Sequence, residues 1–186
     1  MKKKFQGKVL VIGCGGVSQC LLPMLAKHLD MPMEKITIMD MVDNRHRTKE
    51  VLALGIKYVI DKITKQNMAK KLAEFVGAGD IIIDLAWNIE CEAILQWCHD
   101  NNVRYINTSI EEWDPYSNAE NTHPTDRTLY VRHMKLREML KTWKEKGATA
   151  VLDHGANPGL VSHFVKEALE DISNKIKKEI GEEIRQ

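Results

Sequence analysis

The apolar residues of this chain fall in short unbroken runs that alternate with segments in which apolar positions recur every three or four residues. The first run, 9–12, ends directly at a glycine turn, and apolar positions at helical spacing follow it: Val17, Leu21, Leu22 and Leu25. A continuous apolar run predicts a strand buried on both faces, and the 3.6-residue spacing predicts a helix. The chain therefore opens with a strand, a tight turn and a helix.

The same alternation continues along most of the sequence. Apolar runs predict strands at 9–12, 36–40, 57–60, 80–86, 103–108 and 149–153. Helical spacing predicts helices at 17–29, 49–54, 67–75, 91–99 and 128–146, and a last one beginning at 160. Strands that alternate with helices predict an α/β fold, a Rossmann-type doubly wound parallel sheet. We expect residues 1–160 to form this domain and 161–186 to form a helix that leads out of it.

The glycine turn has the spacing of a dinucleotide-binding motif. The candidate cofactor-binding residues of the turn are Gly13, Gly15, Gly16, Val17 and Ser18. Gly13 permits the turn, and Gly15 leaves room for a pyrophosphate at the helix N-terminus, where free amides favour negative charge. Ser18 stands where glycine or alanine is usual and could bring a hydroxyl near the phosphate. The pattern alone also occurs in ordinary loops, but its place between a strand and a helix favours cofactor binding.

Asp40 ends the second predicted strand, 22 residues after Ser18. That spacing suits a carboxylate that binds the adenosine ribose. Arg45 and Arg47 follow in a polar loop and could accept the 2′-phosphate of NADP. Asp40 would repel that phosphate, and we therefore expect NAD as the cofactor.

Composition narrows the class of protein. The 186 residues are 44% hydrophobic and 28% charged with a formal net charge of +1, which is typical of a globular chain and gives no sign of nucleic-acid binding. No apolar run has the length of a membrane span. The four cysteines form neither a CxxC pair nor a zinc-like spacing with histidines, so we expect no metal and a reducing, cytoplasmic location.

The alternation stops in the polar segment 109–126, which follows the fifth predicted strand. Long loops at the carboxyl ends of parallel strands commonly line the binding crevice. Glu111, Glu112, Trp113 and Asp114 combine carboxylates with an aromatic face, as a cationic substrate requires. The alternative is an ordinary solvated loop. His154 and His163 could form an acid–base pair, although a structural role is favoured for both.

Three segments carry a resemblance to a known family. They are 13–19 (GCGGVSQ), 107–113 (NTSIEEW) and 150–162 (AVLDHGANPGLVS), of which the last is the most specific. Together they resemble bacterial homospermidine synthases, within the saccharopine dehydrogenase-like family. The resemblance implies a Rossmann domain with bound NAD, and an enzyme that joins two putrescines into homospermidine with release of ammonia. NAD takes a hydride from the first diamine and returns it after the second has condensed, so no net redox change occurs.

The resemblance also implies roles for individual residues. Glu111 matches the family's acid that faces the diamine, and Asn157 matches the polar residue of the turn at the nicotinamide side, so both are candidate catalytic residues. Glu112, Trp113 and Asn88 complete the candidate substrate site, although family members have an acid where Asn88 stands. The remaining candidate cofactor contacts follow later strands: Ala86, Thr108, Asn157 and Pro158.

The resemblance leaves three functions open. Relative to that family, the chain ends where a substrate-binding and dimerising domain begins, and a homodimer is implied for the complete enzyme. The first possibility is a polyamine synthase that uses NAD. The second is a saccharopine dehydrogenase-type enzyme, which would need basic residues for substrate carboxylates, and none occurs between Ser109 and Asn121. The third is an NAD-binding remnant without activity.

Overall fold

A computed structural model describes residues 2–117 and 120–181 of the chain. Its strands are β1 (Lys3–Lys4), β2 (Val9–Ile12), β3 (Leu29–Asp30), β4 (Ile36–Asp40), β5 (Lys57–Ile60), β6 (Ile81–Asp84), β7 (Arg104–Asn107) and β8 (Ala150–Val151). Its helices are α1 (Gly16–His28), α2 (Lys49–Leu52), α3 (Met68–Phe75), α4 (Cys91–Asp100), α5 (Leu129–Thr142) and α6 (Leu160–Ile180). Short 3-10 turns cover Met33–Lys35, Arg45–Arg47 and Pro124–Arg127.

The main sheet is parallel, with six strands in the order β5-β4-β2-β6-β7-β8. From β2, the next strands β4 and β5 lie in order on one side of β2. The chain then crosses to the other side of β2, where β6, β7 and β8 lie in order. The order therefore reverses beside β2, and the crevice outside the carboxyl ends of β2 and β6 is where such folds bind ligands. This topology confirms the predicted doubly wound α/β sheet.

Helices cover both faces of the sheet, as the unbroken apolar strands require. Leu10 and Ile12 of β2 pack into a core with residues of α3, α4 and α5, whereas Val9 and Val11 pack on the opposite face with residues of α1 and α2. Successive side chains of a strand point to opposite faces, and so a strand between two helical layers needs apolar residues at every position.

Several element boundaries differ from the predicted ones because of tertiary contacts. The fifth helix ends at Thr142 instead of 146, where Trp143 leaves the helix, stacks on His99 at 3.9 Å between ring centroids and donates to Gln96 Oε1. The first helix ends at His28, since Leu29 and Asp30 pair with Lys3 and Lys4 in a two-stranded sheet that the apolar pattern does not predict.

The last helix, α6, extends for 21 residues. Its apolar positions Val161, Phe164, Val165, Leu169 and Ile172 are each between 39% and 58% exposed. Helical spacing correctly predicts the helix, but its apolar side does not pack on the described part of the domain. No helix among the described residues is long and apolar enough to cross a membrane.

Candidate functional site

The glycine turn between β2 and α1 forms an open cradle. Gly13 has a φ of +91°, and a Cβ there would lie 2.9 Å from the Leu85 carbonyl, so this position requires glycine. A Cβ added to Gly15 or Gly16 would meet nothing within 4 Å. The two later glycines therefore leave free space beside the backbone, which is what a pyrophosphate needs.

Helix α1 begins in that cradle with its amides free of side-chain caps. Gly15 is the N-cap residue, and the first turn contains no acidic residue. Such an end favours an anion through its unpaired N–H groups and the helix dipole. Val17 is exposed, whereas the Ser18 side chain is buried and donates its hydroxyl to the Gly13 carbonyl. Ser18 thus braces the turn from within and does not present its hydroxyl to the open cradle.

Asp40 lies at the carboxyl end of β4, against the glycine turn. Its Oδ2 accepts from the amide of Cys14, and its Oδ1 accepts from Val42 N at 2.8 Å. Gly13 N also donates to the Met39 carbonyl at 2.8 Å. The carboxylate is therefore attached to the loop that would hold the phosphates, and each oxygen keeps a second lone pair for another donor.

The ends of β6 and β7 carry a buried polar network that the motifs do not reveal. Tyr105 donates its hydroxyl to Asp84 Oδ2 at 2.8 Å, and Asn107 Nδ2 donates to the Tyr105 oxygen at 3.2 Å. Burial, with a smaller contribution from the charge of Glu111, raises the pKa of Asp84 to about 6. An acid at the end of the isoleucine run 81–83 is the sequence signal that could have identified Asp84.

Asp153 joins this network to the loop after β7. Its amide donates to Asn107 Oδ1 at 2.9 Å, and its Oδ1 accepts from Ile110 N at 3.0 Å. Its Oδ2 lies 2.6 Å from Nε2 of His133 in α5. Asp153 is buried and has a φ of +54°. Asp153 therefore connects β7 through its backbone amide, and the following loop and α5 through its carboxylate.

Three consecutive residues of the loop after β7, residues 111–113, lie in different surroundings. Glu111 accepts from the Ser109 hydroxyl at 2.8 Å and is close enough to Asp84 to raise its pKa. Glu112 instead lies 3.3 Å from both Arg132 Nε and Lys135 Nζ of α5. Trp113 packs against the core on the α4 face. Of the candidate substrate residues in this loop, Glu111 is the one whose charge acts on Asp84 at the end of β6.

The other candidate residues follow the same strand ends. Asn88, after β6, has a φ of +59°, and its buried Oδ1 accepts no hydrogen bond from the described residues. The amide of Ala86 donates to Asp84 Oδ1 at 3.1 Å. Gly13 lies against Ala86 as well, since a Cβ at Gly13 would be 3.0 Å from the Ala86 amide nitrogen. Ala86 is therefore at the floor of the glycine turn.

The turn 154–159 lies on the end of β7. His154 N donates to the Asn107 carbonyl at 3.1 Å, and a Cβ on Gly155 would be 3.3 Å from the Thr108 Cβ. The turn contains a cis Asn157–Pro158 bond and closes through Gly155 N and the Pro158 carbonyl at 3.0 Å. Thr108 and the turn are thus brought together. The rings of His154 and His163 are 6.3 Å apart between centroids, in an edge-on arrangement.

The part of the chain that the structure describes contains no group of three or more His, Cys, Asp or Glu side chains placed to hold a metal ion. The glycine cradle, the free helix end and the carboxylate of Asp40 fit a dinucleotide instead.

Comparisons with known proteins agree with this geometry. The family model of the saccharopine dehydrogenase NADP binding domain matches residues 9–151. A homospermidine synthase of Blastochloris viridis is 28% identical over 176 residues, which are 91% of this chain and 36% of that protein. A homospermidine synthase of Mesorhizobium japonicum is 29% identical over 180 residues, 95% of this chain and 36% of that protein.

Solved structures give the same result. The homospermidine synthase of Legionella pneumophila in complex with NAD superposes with a TM-score of 0.74 at 29% identity, over 99% of this chain and 36% of that chain. Saccharopine dehydrogenase (L-Glu forming) of Saccharomyces cerevisiae shares the fold, with a TM-score of 0.54 at 18% identity over 89% of this chain and 31% of that chain. These matches confirm the resemblance carried by the three motifs. The chain spans about 36% of the length of the homospermidine synthases it matches.

Proposed function

The chain belongs to the saccharopine dehydrogenase NADP binding domain family, and on that premise we propose that it is the NAD-binding part of a homospermidine synthase. The observation that carries this proposal is the open cradle at Gly15 and Gly16, in a chain that matches homospermidine synthases over more than nine-tenths of its residues. The solved relative that contains NAD supports the choice of cofactor.

The chain's own residues would hold the cofactor in three places. The free amides of α1 would bind the pyrophosphate, and Asp40 would accept hydrogen bonds from the adenosine ribose. Ala86, Thr108 and the turn that contains Asn157 and Pro158 would lie toward the nicotinamide. When bound, the cofactor accepts a hydride from an amine-bearing carbon and returns it later.

The substrate that we propose is putrescine, a diamine with two positive charges at neutral pH. Glu111 and Asp84 interact electrostatically, and these two carboxylates, one in the loop after β7 and one at the end of β6, produce a negative field that attracts an ammonium group. Two putrescines would give homospermidine and ammonia. Glu112 is paired with two cations of α5, so we assign the attraction of the diamine to Glu111.

A homodimer of the complete enzyme and a cytoplasmic location remain predictions of the resemblance. The saccharopine dehydrogenase-type alternative shares the fold but needs cations that are free to bind substrate carboxylates. Arg132 and Lys135, on the helix beside the loop, are both engaged by Glu112. This pairing favours an amine over an amino acid as substrate.

The test is calorimetric titration of the chain with NAD, followed by titration of the NAD-loaded chain with putrescine and, separately, with glutamate. Saturable binding of NAD, with putrescine preferred over glutamate, is the expected result. A preference for glutamate would favour the saccharopine dehydrogenase-type alternative. Binding of NAD with neither substrate would withdraw putrescine as a ligand of this chain alone, and no binding of NAD would overturn the proposal.

A further inference from the structure

The segment after β4 carries an unusual number of charged side chains next to the proposed adenosine site. A cavity of about 460 Å³ opens beside this segment. It is lined by Asp43, Arg45, His46, Lys49, Leu52 and Ala53. Three of these side chains carry nitrogen donors and Asp43 is the one carboxylate among them, so the lining without Asp43 would be suited to an anion such as a phosphate.

Asp43 and Arg45 form a bidentate ion pair. Asp43 Oδ1 accepts from Arg45 Nε at 2.9 Å and from the Arg45 amide at 3.1 Å, while Oδ2 accepts from Nη2 at 2.6 Å. The hydrogen bonds from Arg45 lower the pKa of Asp43 to about 2, so the carboxylate is ionised under all ordinary conditions. One of the two bidentate edges of the guanidinium, formed by Nε and Nη2, is therefore occupied by an acid of the same loop.

The loop is held in place on both sides of Asp43. Tyr58 donates its hydroxyl to the Val42 carbonyl at 2.8 Å and accepts from Asn44 N at 3.0 Å. Asp40 accepts from Val42 N at 2.8 Å. The residues on either side of Asp43 are thus fixed to the sheet, and the first of them is fixed to the carboxylate proposed to bind the ribose. The Asp43–Arg45 pair keeps its place next to the ribose position.

We infer that Asp43 is a specificity-determining residue that withholds Arg45 from the 2′-phosphate of NADP and so favours NAD. The inference rests on the proposed function, since it concerns which dinucleotide the same site accepts. A 2′-phosphate stands on the ribose hydroxyl assigned to Asp40 and adds up to two negative charges there. To reach Arg45 it must separate the pair and approach a second carboxylate. NAD lacks the 2′-phosphate, and its binding therefore does not depend on the Asp43–Arg45 pair.

The pair is exposed to solvent, which limits the size of the effect. The side chains of Arg45 and Asp43 are 56% and 47% exposed, and exposed ion pairs contribute little to folding. Removing Asp43 therefore leaves the fold intact while freeing one guanidinium. A second exposed ion pair can serve as a control. Glu138 binds Lys141 at 2.6 Å, and the two side chains are 62% and 69% exposed.

The experiment is calorimetric titration of the 186-residue chain with NAD and with NADP. Three variants are compared with the parent: Asp43→Ala, the double variant Asp43→Ala/Arg45→Ala, and the control Glu138→Ala. We expect Asp43→Ala to tighten NADP binding about tenfold, the effect of one charge-assisted hydrogen bond, and to change NAD binding about twofold at most. The double variant should lose that gain, and Glu138→Ala should bind both dinucleotides as the parent does.

Three results would overturn the inference. The first is unchanged NADP affinity in Asp43→Ala, and the second is a gain that persists in the double variant, because Arg45 would then not be the acting residue. A gain of the same size in Glu138→Ala would mean that net charge alone is responsible, which also excludes the role given to Asp43. If the parent and all variants fail to bind NAD, the proposed function fails, whereas NAD binding with no effect of Asp43 leaves that function standing.

Discussion

Tyr105 donates a hydrogen bond of 2.8 Å to Asp84, and both side chains are buried on the neighbouring strands β7 and β6. The phenol partly replaces the water that the carboxylate loses on folding, but burial dominates and raises the pKa of Asp84 from 3.8 to about 6. The folded chain therefore holds a proton on Asp84 at pH values where the unfolded chain has released it. This difference makes stability depend on pH.

The first prediction is that the free energy of unfolding falls as the pH rises from about 4 to about 6. Below the unfolded pKa of 3.8, Asp84 carries its proton in both states, and its protonated side chain contributes fully to stability. This contribution is lost as the pH rises through the folded pKa of about 6. The loss is on the order of 2–3 kcal/mol. Urea unfolding at several pH values measures it. Asp84→Asn should flatten this slope and Glu138→Gln should not; an equally steep slope in Asp84→Asn would refute the assignment.

The second prediction concerns the glycine turn. Gly15→Val should abolish detectable NAD binding with little change in the unfolding temperature, because a Cβ at this position meets no protein atom within 4 Å and the side chain would enter the space proposed for the pyrophosphate. Gly13→Ala is the contrasting variant: its φ of +91° and its contact with Leu85 should cost at least about 1–2 kcal/mol of stability. Calorimetry and thermal unfolding of both variants check this. NAD binding by Gly15→Val at parental affinity would contradict the phosphate assignment.

The third prediction concerns Asp40. Asp40→Ala should weaken NAD binding more than NADP binding, because it removes both the acceptor for the ribose hydroxyls and the charge that repels a 2′-phosphate. The variant also leaves the amides of Cys14 and Val42 without this acceptor, so some loss with both dinucleotides is expected. The ratio of the two dissociation constants is therefore the quantity to measure. A parent that prefers NADP would assign the site to Arg45 or Arg47.

The sheet and the cofactor turn could be predicted because their signals are local. The run 9–12 is apolar at every position since both faces of β2 are covered, and Asp40 ends its strand at the spacing from the glycine turn that the motif predicts. The end of α5 could not be predicted, because it depends on Trp143 meeting His99, 44 residues away in sequence. The Tyr105–Asp84 hydrogen bond could not be predicted for the same reason, since its partners are 21 residues apart in the sequence.

The sequence does not distinguish the two glutamates in the loop after β7. Glu111 and Glu112 are adjacent and chemically alike, and the sequence groups them in one candidate site. Only the position of α5 separates them, because Arg132 and Lys135 neutralise Glu112. The exposed apolar side of α6 is a similar case, since helical spacing predicts an apolar stripe but not whether it is covered.

The fourth prediction is that Asp153 holds the loop after β7 in place. Asp153→Ala leaves Ile110 N and His133 without their acceptor and should lower the free energy of unfolding by about 1–3 kcal/mol. Asp153→Asn keeps one carbonyl oxygen as acceptor for Ile110 N and should lose less. Urea unfolding of both variants measures the difference. Equal losses in the two variants would mean that the negative charge beside His133, and not the bond to Ile110, holds the loop.

The fifth prediction separates the two glutamates of the loop. In the NAD-loaded chain, Glu111→Gln should weaken putrescine binding about tenfold or more, because one charged hydrogen bond to an ammonium group is replaced by a neutral one. Glu112→Gln is the matched control, since it makes the same chemical change one residue away, where the carboxylate is already paired with Arg132 and Lys135. It should leave putrescine binding within about twofold of the parent. NMR titration with putrescine measures both, and NAD titration confirms that neither variant disturbs the cofactor. A larger loss in Glu112→Gln than in Glu111→Gln would place the diamine on the α5 side of the loop, away from Asp84, and would overturn the proposed substrate site.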